Sequence, residues 1–372
     1  MSLIQEKFFD LLRFSLGITD SLEAPIETSE WDALLEMANE QSVVGILYGG
    51  IERLPQQQRP QQRMQLFTWM ATKQQIEQYS QQVTHQTVNV INRLRSSGFD
   101  ACVLKGQGVA SLYPQPLLRT AGDIDVWVLK DQHEAVDETI DFVRSKMGSR
   151  ADEAVYHHIG AGEVQGITVE LHYRPTFLCS PVHNRRLQRF FRQQASVQLS
   201  HQVSLDEGKS QVPVPTAAFN RIFLLAHISR HILQDGIGLR QMIDYYYVLR
   251  QGFTSTEQAD DQRLLRQCGL SSLAGAVMYV MQQLFRLSSD QLIVPADEPR
   301  GCFLLNEMML GGNFGQHDKR VSTFARENRL GRNLQRLRRD LRLLRYFPSE
   351  CIWEPLFRIW HFGWRYRHRH RS

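Results

Sequence analysis

Hydrophobic positions recur at helical spacing through the first hundred residues. Leu3, Ile4, Phe8, Leu11, Leu12 and Phe14 mark one helix, and Trp31, Leu34, Leu35 and Met37 a second that Ser29 and Glu30 open. Glutamine crowds residues 55–82, yet Leu66, Trp69, Met70, Ile76 and Tyr79 keep a helical stripe through it, the mark of a solvated helix rather than a linker. The period changes at Gly98. Residues 100–105 are a short apolar run, Gly106-Gln107-Gly108 interrupts it, and a helical segment through Leu112 and Tyr113 stops at Pro114 and Pro116. A strand is expected over 123–129, a helix over 133–147, and two strands over 154–159 and 163–173 with a turn region at Gly162 and Gly166. Helical spacing returns over 218–233, 239–249, 257–268 and 270–287, and residues 329–344 spell a basic amphipathic helix. The succession predicts an α+β chain: an N-terminal helical region over 1–96, a small mixed sheet with helices over 97–212, and a C-terminal helical domain over 213–372.

Composition changes this picture in one respect. The formal charge is only +4, but the stretch from Lys319 onward holds 15 Lys/Arg against 4 Asp/Glu, or +11, which leaves 4 − 11 = −7 for the first 318 residues. An acidic body with a basic, tryptophan-bearing tail is the expectation, not a uniformly basic nucleic-acid protein. That tail admits packing onto the helical domain, a nucleic-acid contact, or association with an anionic membrane surface or other polyanion. The five cysteines are scattered without metal-ligand or CxxC spacing, so neither a disulfide framework nor a zinc site is expected. With no signal-like N-terminus and no long apolar run, a cytoplasmic, soluble protein is the expectation.

The candidate chemistry lies in Gly122-Asp123-Ile124-Asp125-Val126-Trp127-Val128. Strand alternation points Ile124, Val126 and Val128 one way and sets Asp123 and Asp125 together on the other face. Two carboxylates that close repel unless a cation lies between them, and oxygen-rich sites suit Mg²⁺ or Mn²⁺ beside substrate phosphates. Glu170, flanked by Val169 and Leu171 on a later strand, is the candidate third carboxylate of a two-metal site. Lys105-Gly106-Gln107-Gly108 sits where a strand gives way to a helix, a place for backbone N–H groups to hold phosphate or simply a chain reversal. Arg119 offers either a phosphate contact or an ion pair. His157, His158 and His172 lie near the carboxylates in sequence, with hydrogen-bonded structural roles expected. His227 and His231 stand four apart without the glutamate of a zinc-protease motif, and are expected at an interdomain face. Arg240 and Asp244 are expected to pair with each other.

The order of these features resembles the polymerase β-like nucleotidyltransferase superfamily, and within it a bacterial branch of uncharacterised nucleotidyltransferases. The matching residues are Leu104-Lys105-Gly106, Leu112-Tyr113, Arg119, Asp123-Ile124-Asp125, His157/His158 and Val169-Glu170-Leu171-His172, with a looser match through 238–244. The resemblance implies that Asp123, Asp125 and Glu170 are catalytic and bind Mg²⁺ or Mn²⁺, and that Lys105, Gly106, Gln107 and Arg119 bind the nucleotide. It implies a nucleoside triphosphate donor such as ATP and a small-molecule, saccharide or RNA acceptor, with pyrophosphate leaving. Two alternatives stand beside it: an RNA-end-modifying enzyme or toxin, and a nucleotide-binding module without turnover. One departure stands out, for the superfamily's Gly-Ser or Gly-Gly turn is Gly106-Gln107 here, which points to a different placement of the triphosphate.

Overall fold

A computed structural model describes residues 2–147, 154–205, 208, 210–318, 320 and 329–369. Three helices, α1 (Leu3–Ser15), α2 (Trp31–Glu40) and α3 (Val44–Ile51), precede a long α4 (Arg63–Ser96) that runs through the glutamine-rich stretch. Trp69, Val83, Ile91 and Leu94 are its buried face, whereas Met70 and Tyr79, expected in the stripe, are partly exposed. A helix of 34 residues outlasts any one packing partner, so its buried face shifts along its length.

The sheet follows. β1 (Asp100–Leu104) runs into the short helix α5 (Gly106–Ala110); then come β2 (Ile124–Lys130), β3 (His133–Glu134), α6 (Val136–Phe142), β4 (His158–Val164) and β5 (Ile167–His172). The order is β1-β2-β5-β4, with β3 pairing the end of β2. β1 with β2 and β4 with β5 are antiparallel, while β2 and β5 run parallel, so the sheet is mixed.

Several boundaries differ from the sequence expectation, among them the strand expected over 163–173, which begins only at Ile167. The helix expected over 133–147 starts with strand β3, because Asp131 and Gln132 both take positive φ (49° and 63°) and make a tight hairpin; α6 then ends in a π-helical segment over Val143–Met147. The strand expected over 154–159 instead spans His158–Val164. The hairpin turn is Gln165-Gly166, and Gly162 sits where the β4–β5 register shifts.

β2 is buried on both faces. Val126 and Val128 join a core with α4 and α6, whereas Trp127 and Leu129 enter a larger core beyond the opposite face. Helix α7 (Pro181–Ser200) and a small hairpin of β6 (Gln202–Ser204) and β7 (Gln211–Pro213) lead to the helical half. There α8 (Ala217–Gln234) lays Phe219 on Trp127, with ring centroids 5.8 Å apart. Full burial of one such aromatic contributes roughly 2–3 kcal/mol. Then come α9 (Leu239–Leu249), α10 (Ser255–Gln267), α11 (Ser271–Phe285), α12 (Glu298–Gly311), α13 (Arg329–Leu344) and α14 (Pro348–Arg369). The N-terminal helices close onto this half: the Gln41 amide donates to the Met308 carbonyl at 3.1 Å and accepts from Leu239 N–H at 2.9 Å. Among the described residues, no helix is long and apolar enough to cross a membrane, and all five cysteines are free thiols.

Candidate active site

Because β2 and β5 are parallel neighbours, their register sets Asp125 directly opposite Glu170. Asp123 stands just ahead of β2, two residues before Asp125, the spacing that returns a strand side chain to the same face. All three carboxylates line one cavity of about 260 Å³. Trp127 and Leu129 continue their face of β2 into solid core, so only the start of the strand opens onto the cavity.

The β1–α5 turn is the next component. Lys105 is held at φ 49° and ψ −142°, a backbone conformation that a side chain disfavours and that costs on the order of 1–3 kcal/mol. The turn brings its ammonium 2.9 Å from Asp125 Oδ2. Gly108 lets α5 close onto the strand, since a Cβ there would lie 2.9 Å from the Val103 carbonyl. Lys105 and Gly106 line the cavity. Gln107 does not: its amide donates to the Ser80 carbonyl and Thr84 Oγ1, 3.2 and 3.0 Å away on α4, which leaves only its backbone for a ligand.

His172 ties the acids together, with Nε2 2.7 Å from Asp125 Oδ1 and 3.3 Å from Glu170 Oε2. His158 Nε2 lies 3.5 Å from Glu170 Oε1. The electrostatics follow. Burial works to raise the Asp125 carboxyl, but Lys105 and His172 outweigh it and hold the group below the usual carboxylate range. Burial likewise pushes Glu170 up, and the hydrogen bond from His172 brings it below its ordinary value. His172 itself rises against its burial because Asp125 and Glu170 favour its charged form. Asp123 goes the other way, pushed up to about 6 by the neighbouring Asp125 charge and then by burial. Asp123 is thus the carboxylate short of positive charge.

The donor set fits a hard divalent cation. It is rich in carboxylate oxygen, and ligand atoms of Asp125, Glu170 and His172 lie within 4.8 Å of one another. The histidines His157, His158 and His172 also come within that distance. His157, however, is engaged by Arg230, and burial holds both His157 and His158 below the usual imidazole range, His158 at about 3.

The helical half forms the facing wall. α8 contributes His227, Arg230 and His231, and α9 contributes Arg240 and Asp244. Arg230 donates to His157 Nε2 and lies 3.3 Å from His231 Nε2. Arg240 donates to the Thr120 carbonyl at 3.1 Å, and its guanidinium sits 5.4 Å from the Phe314 ring centroid. Among the described residues neither has a carboxylate at ion-pair distance, and burial lowers both pKa values, that of Arg240 to about 10. The expected Arg240–Asp244 pair is not formed. Asp244 is taken by Arg119, whose Nε and Nη2 donate to the two carboxylate oxygens at 2.7 and 2.8 Å, while Tyr113 Oη donates to the same group at 2.6 Å. The planar fork of Arg119 makes two parallel bonds here, and that geometry outcompetes a same-helix neighbour. Arg119 still lines the cavity, but with its charge already matched.

Sequence reasoning missed Arg230 and the bridging role of His172. His172 had a signal, since two residues from Glu170 on a strand means the same face. Arg230 had only its position three residues after His227 on a helix whose solvent side could not be inferred.

With the geometry in place, comparisons add the following. A family model described as an uncharacterised nucleotidyltransferase matches residues 27–286, well over half of the chain and all of the cavity's sheet wall. No curated protein matches. Among solved structures, an antigenic nucleotidyltransferase-like protein from Paracoccidioides brasiliensis is similar at 14% identity and a TM-score of 0.34, over 58% of this chain and 95% of that one.

Proposed function

The chain belongs to the uncharacterised nucleotidyltransferase family, and on that premise we propose that it moves a nucleoside monophosphate from a nucleoside triphosphate to a hydroxyl-bearing acceptor. The observation that carries this reading is the register of Asp125 against Glu170, with Asp123 beside them in a cavity whose opposite wall holds Arg230 and Arg240. Three carboxylates on one wall and two unmatched guanidinium groups on the other suit a cation-bearing polyphosphate better than either a free cation or a neutral ligand.

In the proposed reaction the acceptor oxygen bonds to the α-phosphorus, the bond to the β-phosphate bridge breaks, and pyrophosphate leaves with that electron pair. Asp123, Asp125 and Glu170 would hold Mg²⁺ or Mn²⁺, which would offset the negative charge of the reacting phosphates. Glu170, half-buried at the edge of the cavity, takes up the acceptor proton. Lys105 and the backbone of Gly106 contact phosphate oxygens from the strand–helix turn, and His172 fixes the orientation of Asp125 and Glu170. Arg230 and Arg240 bind the β- and γ-phosphates. Arg119 acts one step removed, locking Asp244 and the segment that leads into Asp123. The acceptor is a small molecule, a saccharide or an RNA end, and the bacterial branch of the superfamily is the resemblance this reading follows.

The test mixes the protein with each of the four nucleoside triphosphates, Mg²⁺ or Mn²⁺ and a cell extract, and follows pyrophosphate. Release that disappears in Asp125→Asn supports transfer. Equal background in both proteins, with triphosphate binding retained, makes the chain a nucleotide-binding module instead.

A further inference from the structure

A second cavity, of about 580 Å³, lies between α7 and α14. Its α14 side consists of Trp353, Leu356, Phe357 and Trp360, spaced i, i+3, i+4 and i+7, one face of a helix. Tyr156 closes one end, its ring edge-on to Phe357 and Trp360 at centroid distances of 5.9 and 5.2 Å. The α7 side presents Asn184, Arg185, Gln188 and Arg192, again at helical spacing. The floor is prearranged: Asn184 Nδ2 donates to Tyr156 Oη at 2.9 Å, and Gln188 Nε2 donates to Asn184 Oδ1 at 3.0 Å and to the Thr176 carbonyl at 2.8 Å. Arg174 is matched by Glu134. Arg185 and Arg192, on the exposed rim, have no acidic partner among the described residues. An aromatic and aliphatic wall beneath a cationic rim is complementary to an anion that carries an apolar chain.

The outer side of the same helices continues that chemistry. Ile352, Ile359 and Tyr366 repeat every seven residues along α14, Phe362 lies between them, and Ile359 and Phe362 are 74% and 76% exposed. Leu337 and Leu341 of α13 are exposed too. Residues 329–369 hold eleven arginines against Asp340, Glu350 and Glu354. Exposed aliphatic side chains among arginines fit the interface of an anionic bilayer, where the apolar groups enter the headgroup region and the guanidinium groups meet lipid phosphates. Single-stranded RNA would cover aromatic rings and arginines but leave Ile352, Ile359, Leu337 and Leu341 in water.

We propose that α13 and α14 rest on an anionic membrane surface and that the cavity takes an anionic lipid from it. The lipid headgroup meets Arg185 and Arg192, and the first part of its chain lies along Trp353, Leu356, Phe357 and Trp360. This site is separate from the carboxylate cavity, with which it shares no lining residue, and lipid binding needs no nucleotide.

The test uses the full chain without nucleotide. Sedimentation with phosphatidylcholine vesicles, with and without phosphatidylglycerol, measures surface binding, and tryptophan fluorescence with soluble dihexanoyl phosphatidic acid measures the cavity. Binding to the anionic vesicles and weakening by salt are expected. Arg185→Glu with Arg192→Glu should weaken the soluble lipid at least tenfold, whereas Ile359→Asp with Phe362→Asp should spare it and abolish vesicle binding. Far-UV spectra and melting check both folds, and Trp360→Ser replaces a charge-reversed variant that does not fold. The proposal is overturned if anionic vesicles are not bound, if inorganic phosphate competes as well as the lipid phosphate, or if RNA is retained while vesicles are not.

Discussion

On the sheet wall of the carboxylate cavity, Asp125 is flanked by Lys105 and His172, and Glu170 by His158 and His172. On the helical wall, Arg230 and Arg240 are just as deeply placed, yet their neighbours are imidazoles, a carbonyl and an aromatic ring. A buried charge without a counter-charge is strongly unfavourable, so the two walls carry different obligations. The sheet wall largely neutralises itself and leaves only Asp123 in deficit. The helical wall is held cationic by the packing of α8 and α9 and is matched only by a polyanion that enters from outside. On the proposed reading the walls divide the work, with carboxylates for a cation on one and arginines for phosphates on the other.

The sharpest way to break this division is on the sheet wall. Asp125→Asn keeps the shape of the side chain and removes the charge that Lys105 and His172 attend. Turnover should fall by at least about a thousandfold, some 4 kcal/mol on the barrier, and the melting temperature should fall as well, because Lys105 and His172 lose the charge that matches them. A steady-state pyrophosphate assay beside a thermal melt reads both. Residual activity within tenfold of wild type would remove Asp125 from the reaction.

The next effect separates a matched arginine from an unmatched one. Arg119→Met strands the Asp244 carboxylate in the interior, and unfolding by urea should show a loss of about 3 kcal/mol. Arg240→Met removes a buried charge that has no counter-charge at ion-pair distance among the described residues, so its cost in stability should be under about 1 kcal/mol, or the variant should even gain. If both lose the same amount, the contrast between the walls is not electrostatic.

Arg230→Gln and Arg240→Gln then test what the unmatched charges are for. Each should raise KM for the triphosphate roughly tenfold to a hundredfold, the worth of a lost charge-assisted phosphate contact, with a smaller effect on kcat. Arg119→Lys should show no such selective rise. A fall in kcat with KM untouched would mean contacts made only in the transition state and not with the bound triphosphate, and no change in either would place these arginines away from the phosphates.

The two walls also differ in how far the sequence discloses them. Alternation set Asp123 and Asp125 on one face and Glu170 on the open face of its own strand, and the resemblance joined them; that the two strands are parallel neighbours with Asp125 opposite Glu170 is what the fold adds. Residue 107 shows the limit of that reasoning, since a turn residue is free to face either the ligand or the helix behind, and α4 claimed it. The helical wall was closed to inference. On α8 nearly every residue from Phe219 to Leu233 is buried, so hydrophobic periodicity marks no outward face and gives no reason to single out Arg230. Asp244 has an arginine one turn away at Arg240, and only the tertiary fold shows that Arg119, 125 residues away in sequence, holds it. The strand boundaries slipped for a local reason: Asp131-Gln132 makes a tight turn without the glycine that usually announces one.

The smallest expected effect concerns pH, and it acts on the helical wall alone. His231 faces Arg230 and Asp235 on its own helix, with His227 one turn back and Lys105 across the cavity. Burial, with help from Arg230, outweighs Asp235 and lowers its pKa to about 4. A histidine in the unfolded chain titrates near 6.5, so between that value and about 4 the unfolded state binds a proton that the folded state refuses. Stability therefore falls as pH drops through that window and is unaffected by this group at higher pH. Moving from pH 7 to pH 5 should cost about 2 kcal/mol through this one residue. His231→Gln should remove that share, so that urea midpoints at the two pH values lie closer together than in the wild type. Each added proton on this wall would also add to a positive charge that Asp235 offsets only in part. A saturating polyphosphate such as tripolyphosphate should therefore shrink the acid loss in the wild type more than in His231→Gln. An acid loss of the same size in both proteins, with or without the polyanion, would mean that the helical wall is not the electrostatic opposite of the sheet.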